Sequence, residues 1–189
     1  MILITSASYV NPELQAEFGK IPPSFLPLGS KRLFEQQVRL FNKKHEEVVL
    51  SLPEGYSLDS GDEKKLLELG VRVVYVKDSF NLGQSIVYVM NMLLPIEGSL
   101  SILHGDTLFL DLEYKADQSS FEISKVDTSY NWEYLVDNNQ TFIESDKYSI
   151  EELENYVISG FFNFSHPYEL IKSITSNDYS FINGLRSYS

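Results

Sequence analysis

Strand-length apolar runs alternate with helix-like segments over the first half of the chain. The apolar runs comprise residues 1–5, 47–52, 71–76 and 100–104. Apolar residues at helical spacing fill three of the segments between them, residues 30–43, 60–69 and 82–94. Ser30 is the predicted N-cap of the first helix, and Gly70 follows the predicted end of the second. This alternation predicts a doubly wound parallel sheet with helices on both faces.

The second half has a different pattern. Residues 121–126 and 132–136 have strand character, and the turn cluster 137–140 (DNNQ) leads into a returning strand at 141–144, which predicts a β-hairpin. A further strand is predicted over residues 156–164, interrupted by Gly160, and a helix over 167–174. Residues 6–27 have no clear pattern and are longer than an ordinary connection, which indicates a functional segment.

Composition limits the classes of protein to consider. A chain of 189 residues that is 43% hydrophobic suits one domain with its own core. The absence of cysteine excludes disulfides and thiolate metal sites and is consistent with a cytoplasmic protein. The net charge of −12 argues against nucleic acid as a partner. Apolar runs of strand length and an N-terminus without a basic leader predict neither a membrane span nor a signal peptide.

The stretch at residues 100–112 (LSILHGDTLFLDL) is the centre of the prediction. Its apolar strand stops at Gly105-Asp106-Thr107, and in open α/β sheets ligands bind beyond the carboxyl ends of the strands. There Asp106 could offer a carboxylate to a hard cation such as Mg²⁺, and Gly105 lets a backbone or a phosphate come close. A strand-ending turn in which Asp106 caps the next segment explains the same residues equally well.

Four short segments favour the ligand-binding interpretation of Asp106 over the strand-ending turn. They are residues 25–33 (FLPLGSKRL), 81–85 (NLGQS), 104–109 (HGDTLF) and 157–164 (VISGFFNF). In this order and at these separations they resemble motifs of the sugar-phosphate nucleotidyltransferases, the nucleotide-sugar pyrophosphorylases typified by glucose-1-phosphate thymidylyltransferase. The resemblance implies a three-layer Rossmann-like mixed sheet with an added hairpin. It also implies one domain over residues 1–189. The family's second metal-binding aspartate has no counterpart here, which indicates either a domain cut short at its C-terminus or a site that is incomplete by nature.

The resemblance implies a nucleotide site at the start of the helix that follows the third strand. The amide of Gln84 both donates and accepts, so it can read the edge of a pyrimidine. A polar first-turn residue that faces water is the alternative for Gln84. The implied nucleotide-binding residues are Ser6, Ala7 and Ser8 through their backbone N–H groups, with Gly83, Gln84 and Gly105.

The family resemblance also implies which residues bind the metal and the acceptor. Asp106 is the implied ligand of Mg²⁺ and a catalytic residue. Gly160 interrupts an apolar strand, which marks either close approach of a ligand or a β-bulge, and the two are equally supported. The implied acceptor-binding residues are Thr107, Glu144 and Gly160.

The chain departs from the family at its signature loop. Residues 6–12 (SASYVNP) contain neither the glycines nor the arginine of that loop, so the backbone is less free to wrap a triphosphate. Pro23 falls where the family has its catalytic lysine, and Lys20 is the nearest cation that could substitute for it. Loss of both cations costs several kcal/mol of barrier in a reaction that depends on positioning and electrostatics.

Two functions follow from this comparison. The first is transfer of a nucleotidyl group from a nucleoside triphosphate to a sugar phosphate or a similar phosphorylated acceptor, with Mg²⁺ and release of pyrophosphate, in the synthesis of surface-polysaccharide precursors. The alternative is a non-catalytic module that binds a nucleotide or nucleotide-sugar. A glycosyltransferase is the least favoured class, since Asp106-Thr107-Leu108 lacks its Asp-x-Asp pair. The expected partners are these small molecules and another copy of the chain, with neither nucleic acid nor membrane.

Overall fold

A computed structural model describes residues 1–42, 46–125, 134–136, 142–144 and 156–188. In chain order the elements are β1 (Ile2–Thr5), α1 (Pro12–Phe18), a 3₁₀ turn (Pro23–Phe25), β2 (Pro27–Leu28), β3 (Lys31–Arg32), α2 (Leu33–Asn42), β4 (Val48–Pro53), α3 (Ser60–Glu68), β5 (Arg72–Val76), α4 (Leu82–Met92), β6 (Leu100–His104), β7 (Ser120–Lys125), β8 (Tyr134–Val136), β9 (Phe142–Glu144), β10 (Tyr156–Phe164), α5 (Pro167–Ser176) and α6 (Phe181–Ser187). No helix among these residues is long and apolar enough to cross a bilayer.

Within the described residues, eight strands form the central sheet, in the order β5-β4-β1-β6-β10-β8-β9, with β7 also paired to β10. Strands β5, β4, β1 and β6 are parallel to one another, and β10 runs antiparallel to β6. The hairpin predicted in the second half is present as the antiparallel pair β8–β9, while its turn at 137–140 lies outside the described residues. The predicted doubly wound mixed sheet with an added hairpin is therefore confirmed.

Helices cover both faces of the sheet. Side chains alternate between the two faces of a strand, so Ile102 of β6 packs in the core beneath α4, α5 and α6, and its neighbour Leu103 packs in the core beneath α2 and α3. Each core has a fully buried helical anchor, Ile86 of α4 on one face and Phe34 of α2 on the other. The result is the three-layer arrangement that the sequence predicts.

Two predicted elements are wrong in detail. Residues 6–27 are not irregular throughout, because Pro12–Phe18 forms α1, which Asn11 caps by accepting from the backbone N–H of Leu14 at 2.9 Å. Ser30 is not a helix cap, since it lies in the turn between β2 and β3, where Gly29 has φ +63°. The helix begins later, and Glu35 Oε1 accepts from the backbone N–H of Arg32 at 3.0 Å.

The strand order places a topological switch point between β1 and β6. The chain runs outward from β1 through β4 to β5, then returns by way of α4 to β6 on the other side of β1. Helices that leave two neighbouring strands in opposite directions open a crevice at the carboxyl ends of those strands, and this is where open α/β sheets bind their ligands. Residues just after Thr5 and His104 therefore border the candidate site.

Candidate functional site at the ends of β1 and β6

The ends of β1 and β6 touch each other at Gly105. The backbone N–H of Gly105 donates to the carbonyl of Thr5 at 2.9 Å. A Cβ at this position would lie 2.8 Å from the Ser6 side chain and 2.8 Å from the Thr5 carbonyl oxygen. The close approach expected at Gly105 is thus made by the neighbouring strand of the protein itself, and any side chain here would push the two strand ends apart.

Asp106 follows directly and is exposed to solvent. Its Oδ1 accepts a long hydrogen bond of 3.4 Å from the Thr107 hydroxyl. Within the described ranges no group of three or more histidine, aspartate or glutamate side chains could hold a metal. An exposed single carboxylate fits Mg²⁺, which takes one or two protein carboxylates and completes its octahedron with phosphate oxygens and water.

A buried glutamine fixes the turn that carries Asp106. Gln37 of α2 is fully buried, and its Nε2 lies 3.2 Å from the carbonyl oxygen of His104, 3.0 Å from that of Gly105 and 2.8 Å from that of Thr107. Two amide hydrogens are therefore shared among three backbone acceptors. The sequence analysis missed Gln37, and its only signal is a polar residue on the apolar face of an amphipathic helix.

Replacing Gln37 by leucine is expected to lower the free energy of unfolding by about 1–3 kcal/mol, because three carbonyls lose their donor. Urea denaturation followed by circular dichroism measures the change. Gln36→Leu is the matched control, since Gln36 precedes it on α2, is only half-buried and bonds to none of these carbonyls. Equal stability of the two variants would show that Gln37 does not anchor the turn.

Gly160 of β10 lies against the same turn. It has φ +87°, and a Cβ added to it would lie 2.6 Å from Thr107 Oγ1 and 3.2 Å from His104 Cβ. The pairing of β10 with β7 shifts register between Ile158 and Phe162, as the bulge alternative predicts, and the close approach to Gly160 is made by the protein's own Thr107 and His104. The structure thus brings Gly160, Thr107 and Asp106 together. The third predicted acceptor residue, Glu144, lies on β9 opposite Tyr134, two strands away from β10.

The N-terminus of α4 lies at the same edge of the sheet, because α4 follows the carboxyl end of β5. Gln84 closes a capping box: its backbone N–H donates to Asn81 Oδ1 at 2.8 Å, and its Oε1 accepts from the Asn81 N–H at 3.0 Å. The amide oxygen is therefore engaged, and Nε2 is the group left for a ligand. Gly83 packs so closely that a Cβ would lie 2.1 Å from the Tyr179 carbonyl oxygen.

The segment after β1 is only partly open to a phosphate. Ser6 is fully buried, its N–H donates to Ser51 Oγ at 3.2 Å, and its Oγ accepts from the Ser24 N–H at 3.0 Å. Over the described ranges, the N–H groups of Ala7 and Ser8 have no acceptor within the protein. Of the three backbone donors predicted for the phosphates, two are available and the third holds the loop in place.

Several solved structures share this overall fold. A CTP:phosphocholine cytidylyltransferase from Streptococcus pneumoniae is 17% identical and superposes with a TM-score of 0.70 over 94% of this chain and 76% of its own. An inositol-1-phosphate CTP transferase from T. maritima is 19% identical, with a TM-score of 0.70 over 97% of this chain and 79% of its own. A nucleoside-diphosphate-sugar pyrophosphorylase from Vibrio cholerae is 12% identical, with a TM-score of 0.58 over 95% and 79%. The chain has the nucleotidyltransferase fold. No family model and no curated protein matches the sequence.

Within this nucleotidyltransferase fold, Lys20 lies in a contact that the sequence did not indicate. Its Nζ lies 4.1 Å from the centroid of the Tyr9 ring, a cation–π contact. Burial, the negative charge of Asp78 and the hydrogen bond to that carboxylate raise the pKa of Tyr9. Asp78 Oδ1 also accepts from the Gly55 N–H at 3.2 Å. Through Asp78, the loop after β1 contacts the segments that follow β4 and β5, and Lys20 packs on the Tyr9 ring of that loop.

Proposed function

We propose that this chain transfers a nucleotidyl group from a nucleoside triphosphate to a phosphorylated acceptor such as a sugar phosphate, with release of pyrophosphate. The observation that carries the proposal is the exposed carboxylate of Asp106 at the switch point, on a turn that Gln37 fixes and Gly160 flanks. The nucleotidyltransferase fold supports it. A sugar phosphate as acceptor, in surface-polysaccharide precursor synthesis, rests on the family resemblance of the motifs.

Each part of the site has a role in this reaction. Asp106 would hold Mg²⁺, which when bound offsets the negative charge of the triphosphate. The N–H groups of Ala7 and Ser8 donate to phosphate oxygens, and Gln84 Nε2 donates to an acceptor atom on the base. An oxygen of the acceptor phosphate then forms a bond to the α-phosphorus, the bond to the bridging oxygen breaks, and pyrophosphate leaves. The protein contributes positioning and charge stabilisation.

The proposal is tested by measuring pyrophosphate release from a panel of nucleoside triphosphates and sugar 1-phosphates, with and without Mg²⁺. We expect release for at least one pair of substrates, and dependence on both the acceptor and the metal. Calorimetry with each triphosphate measures binding separately from turnover. A chain that neither binds a nucleotide nor releases pyrophosphate with any pair would contradict the proposal.

Lys20 is the residue proposed to stabilise the charge of the transferring group. In Lys20→Ala we expect pyrophosphate release to fall by roughly a hundredfold, the usual effect of removing one donor to a developing charge. Lys77→Ala is the matched control, because Lys77 is also an exposed cation near an aromatic ring, 5.9 Å from the Phe80 centroid. If the two variants lose activity equally, Lys20 has no specific role.

A second function is favoured by one observation. The Ser6 amide and the Lys20 ammonium both make contacts within the protein, so two groups of the expected phosphate site are engaged before any ligand arrives. A module that binds a nucleotide without turnover needs neither of them for catalysis. Nucleotide binding that depends on Asp106, with no pyrophosphate release from any pair of substrates, would establish this function instead.

A further inference from the structure

An apolar groove lies next to the turn of Asp106 but outside the site. It has a volume of about 400 Å³. Its apolar walls come from the β2–β3 hairpin, from α2 and from the segment after Asp106. The lining residues are Leu28, Gln36, Arg39, Leu40, Leu108, Phe109 and Leu110. Such a groove between three surface elements fits an apolar side chain better than a charged substrate.

One wall of the groove carries an unusually exposed leucine. Leu110 is 98% exposed, and Leu28 across the groove is 43% exposed. A single exposed leucine needs no explanation on a protein surface. Here, however, the exposed side chain stands on the rim of a cavity that could hold a side chain of its own kind. The patch therefore contains both a projection and a hollow, as a self-complementary surface requires.

Charge makes the patch self-complementary as well. Arg39 is exposed in the lining of the groove, and over the described ranges it has no ion-pair partner. Asp111 comes directly after the projecting leucine and is also exposed. Its Oδ1 accepts only from the backbone N–H of Leu112, at 3.0 Å, among the residues described. The chain thus has one unpaired cation beside the hollow and one unpaired anion beside the projection.

We propose that this patch binds a second copy of the chain in a two-fold dimer. Leu110 of each copy enters the groove of the other, which brings Asp111 beside the partner's Arg39, and symmetry makes both contacts twice. One leucine and one ion pair on each side make a small contact compared with the roughly 20–30 residues a side of a stable interface, so the dimer forms and dissociates with concentration. Because Leu110 lies shortly after Asp106 in the chain, docking also holds the segment that leaves the metal-binding turn.

Sedimentation velocity over micromolar to millimolar concentrations tests the dimer. We expect the wild-type protein to shift from monomer to dimer in this range. Leu110→Glu should weaken association by about a hundredfold, since it places a charge in an apolar hollow. Arg39→Glu and Asp111→Arg should each weaken association by tenfold or more, because each places like charges opposite one another. All three residues are exposed, so thermal unfolding should be unchanged.

Mixing the two charge variants gives the decisive result. In a mixture of Arg39→Glu and Asp111→Arg, each copy offers the charge that the other lacks, so a heterodimer should form at concentrations where each variant alone is largely monomeric. The double variant Arg39→Glu/Asp111→Arg should also regain association with itself. A wild-type protein that stays monomeric at millimolar concentration, self-association that survives Leu110→Glu, or a mixture that stays monomeric would each overturn the proposal.

Discussion

Replacing Gly83 by alanine is expected to lower the free energy of unfolding by about 3 kcal/mol. A Cβ at this position would lie 2.1 Å from the Tyr179 carbonyl oxygen and 2.9 Å from its carbon, both backbone atoms. Ile174 Cγ2, at 3.1 Å, closes the remaining space. Overpacking of this kind costs about 1–3 kcal/mol and more when the obstacle is backbone that cannot turn away.

The obstacle is itself firmly held. The N–H of Tyr179 donates to the Ile174 carbonyl at 3.0 Å, and the N–H of Ser180 donates to the Asn177 carbonyl at 2.9 Å. Asp178 and Tyr179 both have positive φ, 52° and 59°, which leaves the connection between α5 and α6 little freedom to relax. The methyl group must therefore move α4 or break this connection.

Gly61→Ala is the matched control for this prediction. Gly61 is the second residue of α3, as Gly83 is of α4, and among the described residues the one close neighbour of a Cβ there would be the Asp59 side chain at 3.2 Å. Alanine is the better helix former by about 1 kcal/mol, so this variant should be at least as stable as the wild type. Chemical denaturation by urea measures both. Equal stability of Gly83→Ala and the wild type would mean that α4 does not pack on the α5–α6 connection.

The contact of Gly83 with the α5–α6 connection could not be predicted from the sequence. The family resemblance assigns it to the nucleotide, whereas the structure places the C-terminal connection directly against its Cα. Its neighbour Gln84 likewise serves the helix cap. Both residues retain the proposed place near a ligand. Gln84 bonds to Asn81, only three residues earlier, whereas the contact on Gly83 comes from the Tyr179 backbone, far away in sequence. No local pattern contains that information.

The strands and most helices were predictable because their signal is local. Apolar runs mark buried parallel strands, and the rule on carboxyl ends places Asp106 at the crevice before any coordinates are known. Helix α1 escaped prediction for the opposite reason, since none of its residues is buried and it has no apolar stripe to detect. Ser30 was misassigned because a capping residue and a turn residue are the same type of amino acid.

The contacts that shape the candidate site were not predictable in this way. Gln37 of α2 donates to three backbone carbonyls at and just after the carboxyl end of β6. Lys20 packs on the ring of Tyr9, which hydrogen-bonds to Asp78 after β5. Each contact depends on the sheet order, which must exist before those residues can meet. The sequence therefore predicts which chemistry is present at the crevice edge, and the fold decides which groups remain available for it.

Replacing Asp106 by asparagine is expected to reduce pyrophosphate release by about a hundredfold or more and to remove the Mg²⁺ dependence of nucleotide binding. Asparagine keeps the size of the side chain and can still accept from Thr107, but it offers the metal no charge. Because Asp106 is exposed and its turn is fixed by Gln37 through backbone carbonyls, the fold should not change. Activity and calorimetric titrations with and without Mg²⁺ measure the effect.

Asp117→Asn separates the role of this carboxylate from the loss of one negative charge. Asp117 is exposed in a turn of the same connection between β6 and β7, so the substitution changes the net charge equally and leaves the crevice intact. It should keep wild-type turnover and metal dependence. If Asp106→Asn behaves like Asp117→Asn while the wild type is active, the metal is held elsewhere and the switch-point carboxylate is only a strand-ending turn. If only Asp106→Asn fails, the Asp106 carboxylate is required for the metal-dependent reaction.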